Sequence, residues 1–264
     1  MKEVVEMWKY SKMIAGFVLA AAVYAVVLWV FAPLWIIPGV TGIRIANILP
    51  PVFSLLFGPA AAWGIAVGNL IGYDILGGAL TIGSIGGFIG NFLLGFMPYK
   101  IWHRMFKEPP HCRSISSILK FEFVTLIHAA ICAHVISLWC EAVGFVPYTP
   151  LAFIIFTNDF IAPAIAGPIL MTLIYDRVRR AGWLWTDVMK GYEYTPSEVK
   201  KRWMLGTILV TIGSIVGLIA TVGVGLGLGQ PLFFGPGLKF IGTPLVVTGL
   251  VFLIVWAVGV ALLG

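Results

Sequence analysis

Residues 44–74 read RIANILPPVFSLLFGPAAAWGIAVGNLIGYD, an apolar run broken at Gly58-Pro59 and carrying Arg44, Asn47, Asn69 and Asp74 near its ends. A chain in hydrocarbon has to satisfy its backbone internally, so the run is expected to be helical on both sides of the break. Proline lacks an amide and glycine takes turn conformations, so the segment is expected to fold back at Gly58-Pro59. The scarce polar groups then gather toward one membrane face. Such groups are costly in lipid, and their gathering points to a small-molecule site rather than to an anchor.

The rest of the chain has the composition of a protein dissolved in lipid: 60% of its 264 residues are apolar and 11% are charged. Several uncharged runs approach the roughly 20 residues that span a bilayer. Spans are expected over 13–37, 44–60, 61–77, 81–102, 118–142, 151–176, 203–228 and 243–263, an all-α integral membrane protein crossing eight times. With the N-terminus inside, Lys2, Lys9 and Lys12, the basic group from Lys100 to Lys120 and that from Arg177 to Arg202 all face the cytoplasm. Of seventeen basic residues this leaves Arg44 and Lys239 outside. Both termini are therefore expected to be cytoplasmic, with the protein in the cell membrane. The net charge of +6 is topological information and does not indicate a nucleic-acid partner. The first apolar run is too long for a cleavable signal core. Cys112, Cys132 and Cys140 lack CxxC spacing and read as free thiols.

Three regions follow: a six-span bundle over 1–180, a cytoplasmic interfacial connector over 181–202, and two further spans over 203–264. In the connector Trp183 and Trp185 read as interfacial anchors. Thr195-Pro196-Ser197-Glu198 has the capping residue, first-position proline and third-position glutamate of a helix start. Gly223, Gly225, Gly227 and Gly229, with no following Lys-Ser/Thr, do not make a phosphate loop and read as a loosened helix end. In the first span Ala15, Gly16, Ala20, Ala21, Ala22 and Ala25 form a flat stripe, suited to close approach of a neighbouring span or of a partner protein. Gly83, Gly86, Gly87 and Gly90 read as an internal packing surface.

On this topology Arg44, Asn47, Asp74, Glu141, Asn158 and Asp159 all fall in the outer half or at the outer surface, where they can converge on one cavity. A cation with nearby carboxylates and amides suits a polar or zwitterionic molecule. Trp29, Trp35 and Trp139 lie near the same level and read either as a stacking surface for a planar ring or as an aromatic belt. Arg44 reads as a site residue or as a lipid-phosphate anchor, and Asp159 as a ligand contact or as the counter-charge of Arg44. Asn69 and Asn91 read as interhelical hydrogen-bonding residues. His128 and His134 lie six apart without a HExxH context, and Glu122 reads as an interfacial charge, so no catalytic residue, metal or cofactor is expected.

The order of a small-residue first span, an external Arg44, Leu49-Pro50-Pro51, the Leu56–Ala62 turn LFGPAAA and the Gly68–Asp74 segment GNLIGYD resembles the S component of energy-coupling factor (ECF) transporters. The likeness is nearest to the queuosine-precursor branch and covers roughly residues 10–185, including Asn158-Asp159 and Tyr175-Asp176-Arg177. It implies a six-helix capsule that takes its substrate from outside. It also implies that the alanine-rich face of the first span meets a transmembrane coupling protein carrying two ATPases. Residues 186–264 lie beyond the resemblance.

Three function classes are then in play. The first is a substrate-capturing subunit of a primary transporter, with hydrolysis left to partners because no Walker A motif occurs. The second is a self-sufficient secondary transporter, although no duplicated halves are visible. The third is an intramembrane enzyme using Glu122, His128 and His134, which lacks a paired catalytic motif.

Overall fold

The computed structural model describes residues 2–31, 34–37, 41–189, 200–231 and 242–264. Lys190, Glu193, the helix start expected at Thr195 and Lys239 lie outside the described residues, as does the side chain of Trp35.

A short α1 (Lys2–Glu6) and a 3-10 turn (Met7–Lys9) precede α2 (Ser11–Phe31). The expected first span ran to Ile37. Instead Trp35–Ile37 pairs antiparallel with Thr41–Gly42 in a two-stranded hairpin. Pro33 has no amide to continue a helix, which accounts for the earlier stop.

Arg44 leads into a 3-10 turn (Ile45–Ile48), then α3 (Leu49–Phe57) and α4 (Pro59–Asn69), which is prolonged by a π-helical turn (Leu70–Ile75). Pro50 and Pro51 sit in the first turn of α3, and Pro59 in that of α4, where a missing amide leaves no helical bond unmade. Gly58 makes the break in a left-handed conformation (φ +52°, ψ −124°). A β-carbon there would also stand 2.6 Å from the Trp185 ring. The two short helices fold back on each other, as the Gly-Pro break implied.

The remaining elements are α5 (Gly83–Met105), α6 (Ile115–Ala142), α7 (Tyr148–Arg180) and the short α8 (Trp185–Val188). Beyond them α9 (Lys201–Thr211) passes through a π-helical turn into α10 (Gly217–Gly227), and α11 (Thr243–Leu263) ends the chain. Gly223, Gly225 and Gly227 are helical, and the release comes only at Gly229 (φ +63°). Among the described residues five helical stretches are long and apolar enough to cross a membrane, α3 and α4 being individually too short. The protein is a multi-pass, all-α membrane protein.

The small residues of α2 explain how α2 and α4 come together. A β-carbon on Gly64 would lie 2.7 Å from that of Ala20, and one on Gly72 would overlap the Ala25 carbonyl. Gly16, Ala20, Ala21 and Ala25 are buried in this contact, whereas Ala15 and Ala22 face outward. In α5, Gly86 and Gly90 receive Trp139 and Ile136 of α6 in the same way.

Both ends of the described chain meet at one face. Buried Lys100, near the end of α5, donates to the Glu3 carboxylate and to the Gly264 carbonyl. We call this the terminal face, and the opposite one, where Arg44 lies, the far face. Trp185 is buried on the terminal side, its indole donating to His103 Nε2 at 3.2 Å and its ring packing edge-on to Tyr99. It fills the recess that Gly58 leaves instead of lying in the interface as an anchor.

The two additional helices are fastened along their length. At the terminal face Arg104 lies over the Trp203 ring at 4.8 Å and donates to the Leu263 carbonyl at 3.1 Å. Further along, Gly249 of α11 admits Leu138 of α6, and His134 Nε2 stands 3.1 Å from the Gly249 carbonyl. At the far face Glu141 accepts from the Gln230 amide at 2.7 Å and from the Gly242 backbone at 2.9 Å.

Candidate functional site

Two polar chains cross the far half of the bundle, and both start on the turn before α3. In the first, the Arg44 guanidinium donates to Asn69 Oδ1 at 3.0 Å, and the Asn69 amide donates to Asp74 Oδ2 at 3.0 Å. The Arg44 backbone amide contacts Asn158 Oδ1 at 3.4 Å, and Asn158 donates to the Gly42 carbonyl at 2.9 Å. In the second, Asn47 donates to Asp159 Oδ1, and the Tyr24 hydroxyl donates to Asn47 Oδ1 at 2.7 Å while lying 3.1 Å from Asn91 Oδ1. Asn158 and Asp159 are consecutive on α7, so one helical turn serves both chains, and Arg44 and Asn47 are three apart, one 3-10 turn.

These residues carry the expense of buried polarity in a membrane. Asn47, Asn69, Asp74 and Asp159 are all buried. Arg44 is half-buried, its guanidinium lying over the Tyr73 ring at 4.1 Å to the centroid. That geometry adds about 1 kcal/mol or more of cation–π attraction where water is scarce. Two atoms keep unused capacity: Arg44 Nε and Asp159 Oδ2 are buried without a hydrogen-bond partner.

A small cavity of about 30 Å³ opens at the far face, with Thr41, Arg44, Asn69, Asp74, Thr81 and Ser84 as its polar lining. Ile136, Phe145, Leu151 and Ile155 supply apolar wall. That volume holds about one or two waters, against the several hundred cubic ångströms of an ordinary ligand pocket. Thr41 comes to this lining from the second strand and Thr81 from the segment before α5.

Of the residues singled out in the sequence, Arg44 and Asp74 line the cavity directly. Asn158 holds the Arg44 backbone, and Asn47 and Asp159 form a layer linked to it. Asp159 accepts from Asn47, and the Arg44 charge acts on it from nearby without a direct hydrogen bond among the described residues. Glu141 stands apart, with its carboxylate on Tyr148 N at 2.8 Å, Gln230 and Gly242. Trp139 packs against Gly86 and donates to the Ile82 carbonyl at 2.8 Å, outside the cavity lining. Trp29 is exposed on the surface of α2. Glu122 has no ion pair among the described residues, and its expected neighbour Lys120 pairs with Glu108.

Sequence reasoning missed Tyr24, Tyr73, Thr41, Thr81 and Ser84, and gave Asn69 too small a part. Asn69 carried a signal, being an amide within the same broken segment as Arg44 and Asp74. The tyrosines carried none, since a tyrosine in a membrane helix reads first as an amphipathic interface residue.

A multi-pass helical protein in which a cation, an acid and an amide line one cavity fits the class of membrane transporters for small substrates. The family model described as QueT transporter matches residues 14–176. The chain belongs to that family, an ECF S-component family for queuosine precursors. The matched segment runs from α2 to near the end of α7 and leaves α9, α10 and α11 outside. No curated protein and no solved structure matches the chain.

Proposed function

We propose that this protein is the substrate-binding subunit of an ATP-dependent ECF-type importer in the cell membrane. It captures a small water-soluble micronutrient, a queuosine precursor or a chemically similar base, from outside. The observation that carries this reading is the cavity in which Arg44 and Asp74 face a common space within the segment that matches the family. A planar base bearing both carbonyl and N–H groups complements a guanidinium and a carboxylate set in one wall. The substrate site comprises Arg44, Asn47, Asp74, Asn158 and Asp159. Trp139 and Glu141 support it from the flank, one packing α6 on α5 and the other fastening the loop beyond α10.

The far face is then the outside, and both termini are cytoplasmic, in keeping with the distribution of basic residues. The protein binds without catalysis. A transmembrane coupling protein and its ATPases supply energy by docking on α2, where Ala15 and Ala22 present the outward side and Gly16, Ala20, Ala21 and Ala25 hold the helix against α4 from within. Small residues permit the close backbone approach that helix association in lipid requires.

Uptake of a radiolabelled queuosine precursor, measured in cells with and without ATP-hydrolysing partners, tests the assignment. Uptake that requires the partners supports it. Equal uptake without them would identify a self-sufficient carrier.

A further inference from the structure

We propose that His128 is a positioning residue for the substrate site: it bridges the two main-chain carbonyls released by Pro98 and Pro163, and so fixes the turn of α7 that carries Asp159. Pro98 lies inside α5 and Pro163 inside α7. A proline gives no amide to the carbonyl four residues before it, which frees Leu94 O in one helix and Asp159 O in the other. His128, fully buried on α6 between them, has Nδ1 3.2 Å from Leu94 O and Nε2 3.1 Å from Asp159 O. One side chain thus stands within hydrogen-bond reach of both vacated carbonyls.

The choice of residue follows from geometry and chemistry. A carbonyl buried without a donor is costly, and here two such carbonyls face the same helix. An imidazole carries nitrogens on opposite edges and can reach both, which a serine or asparagine cannot do as rigidly. Both partners are acceptors, and a neutral ring has one N–H, so it fastens one carbonyl at a time. The brace therefore has two settings, one holding α5 and one holding α7. The α7 setting acts on the same residue whose carboxylate accepts from Asn47. Through it, the position of Asp159 depends on a side chain that does not itself line the cavity.

This inference rests on reading the Arg44–Asp159 cluster as the substrate site, and the test separates the two. Binding of a radiolabelled queuosine-precursor base to the purified protein is measured for His128→Leu, His128→Gln, Pro163→Ala, the two His128 changes in the Pro163→Ala background, and Arg44→Ala. Thermal stability is recorded for each. His128→Leu is expected to weaken binding about tenfold, while His128→Gln, which keeps an N–H donor, retains most of the affinity. Pro163→Ala returns an amide to Asp159 O, so in that background His128→Leu should cost no more than about threefold. Additive effects of the two changes would overturn the inference, as would wild-type affinity in a destabilised His128→Leu protein. Should His128→Leu fail to fold alone, its recovery in the Pro163→Ala background with near wild-type affinity supports the brace, and failure there too overturns it. Unchanged affinity in Arg44→Ala, or no binding by the wild type, overturns the site reading itself. Weakened binding in Arg44→Ala with additive behaviour at 128 and 163 overturns the role of His128 alone.

Discussion

The guanidinium carbon of Arg44 lies 4.1 Å from the centroid of the Tyr73 ring, while the same side chain donates to Asn69 at 3.0 Å. Arg44 precedes α3 and Tyr73 follows α4, so the contact closes the open end of the pair that folds at Gly58. A cation is kept in a largely apolar setting because an aromatic face, an amide and the Asp74 carboxylate beyond it share the cost of its lost hydration. Lysine would not substitute. Arg44→Lys loses the planar stack and the forked donors, and is expected to bind substrate as poorly as Arg44→Ala in an equilibrium binding measurement.

On α2 the outward and inward small residues should respond differently. Ala22→Trp is expected to abolish uptake while leaving substrate affinity within about twofold, because it adds bulk only where a coupling protein would approach. Ala25→Trp should instead lower thermal stability, because Ala25 is pressed against Gly72. Normal uptake by Ala22→Trp would remove α2 as the docking face.

Removing the Glu141 carboxylate strands two buried backbone donors, on Tyr148 and Gly242, and the part-buried Gln230 amide. Glu141→Ala is expected to destabilise the protein by about 2–4 kcal/mol in a denaturation experiment. Hydrogen exchange should rise at Gly242 and the start of α11, while the affinity of the folded protein for substrate stays near wild type. A selective loss of affinity would return Glu141 to the substrate site.

How far the sequence is legible depends on which coordinate a residue's chemistry fixes. Depth is legible: charges in an apolar run report their distance along a span, and Arg44 and Asp74, at the two ends of one broken run, line one cavity. Direction around a helix is not. Cys140 and Glu141 are neighbours about 100° apart on α6, and the first lines the cavity while the second faces the loop after α10. The Gly58-Pro59 break was legible because glycine and proline carry their own backbone rules. Trp185 was not, since nothing in its surroundings announces that the recess it fills is made by a glycine more than a hundred residues earlier.

Glu3 ties stability to pH at the terminal face. Burial raises its carboxyl, but the Lys100 ammonium beside it more than offsets this and holds the group below the usual carboxylate range. A group depressed in the folded state stabilises above its unfolded pKa, and the contribution is lost as pH falls through the depressed value. Glu3→Gln should therefore destabilise by about 3 kcal/mol near neutrality, where it leaves a buried charge unpaired. The gap from wild type should narrow below about pH 4.5, the carboxyl's ordinary value, in thermal melts across pH. A gap constant with pH would show that the pair contributes through packing alone.

Sidedness can be read with thiol reagents in intact cells. The native cysteines are buried, and burial pushes the Cys112 thiol up to about 12, so background labelling should be slow. A cysteine at Gly144 or Leu80 should label from outside, and one at Ser116 only after permeabilisation. The reverse pattern would invert the proposed orientation.

The most direct measurement is calorimetric titration of a queuosine-precursor base into purified wild-type protein and Arg44→Ala, with folding checked by thermal melt. Saturable binding by the wild type, weakened tenfold or more in a folded Arg44→Ala protein, is the expected result, since charge-assisted hydrogen bonds each contribute about 1.5–3 kcal/mol. Equal affinity in the two proteins would contradict a substrate site built on Arg44.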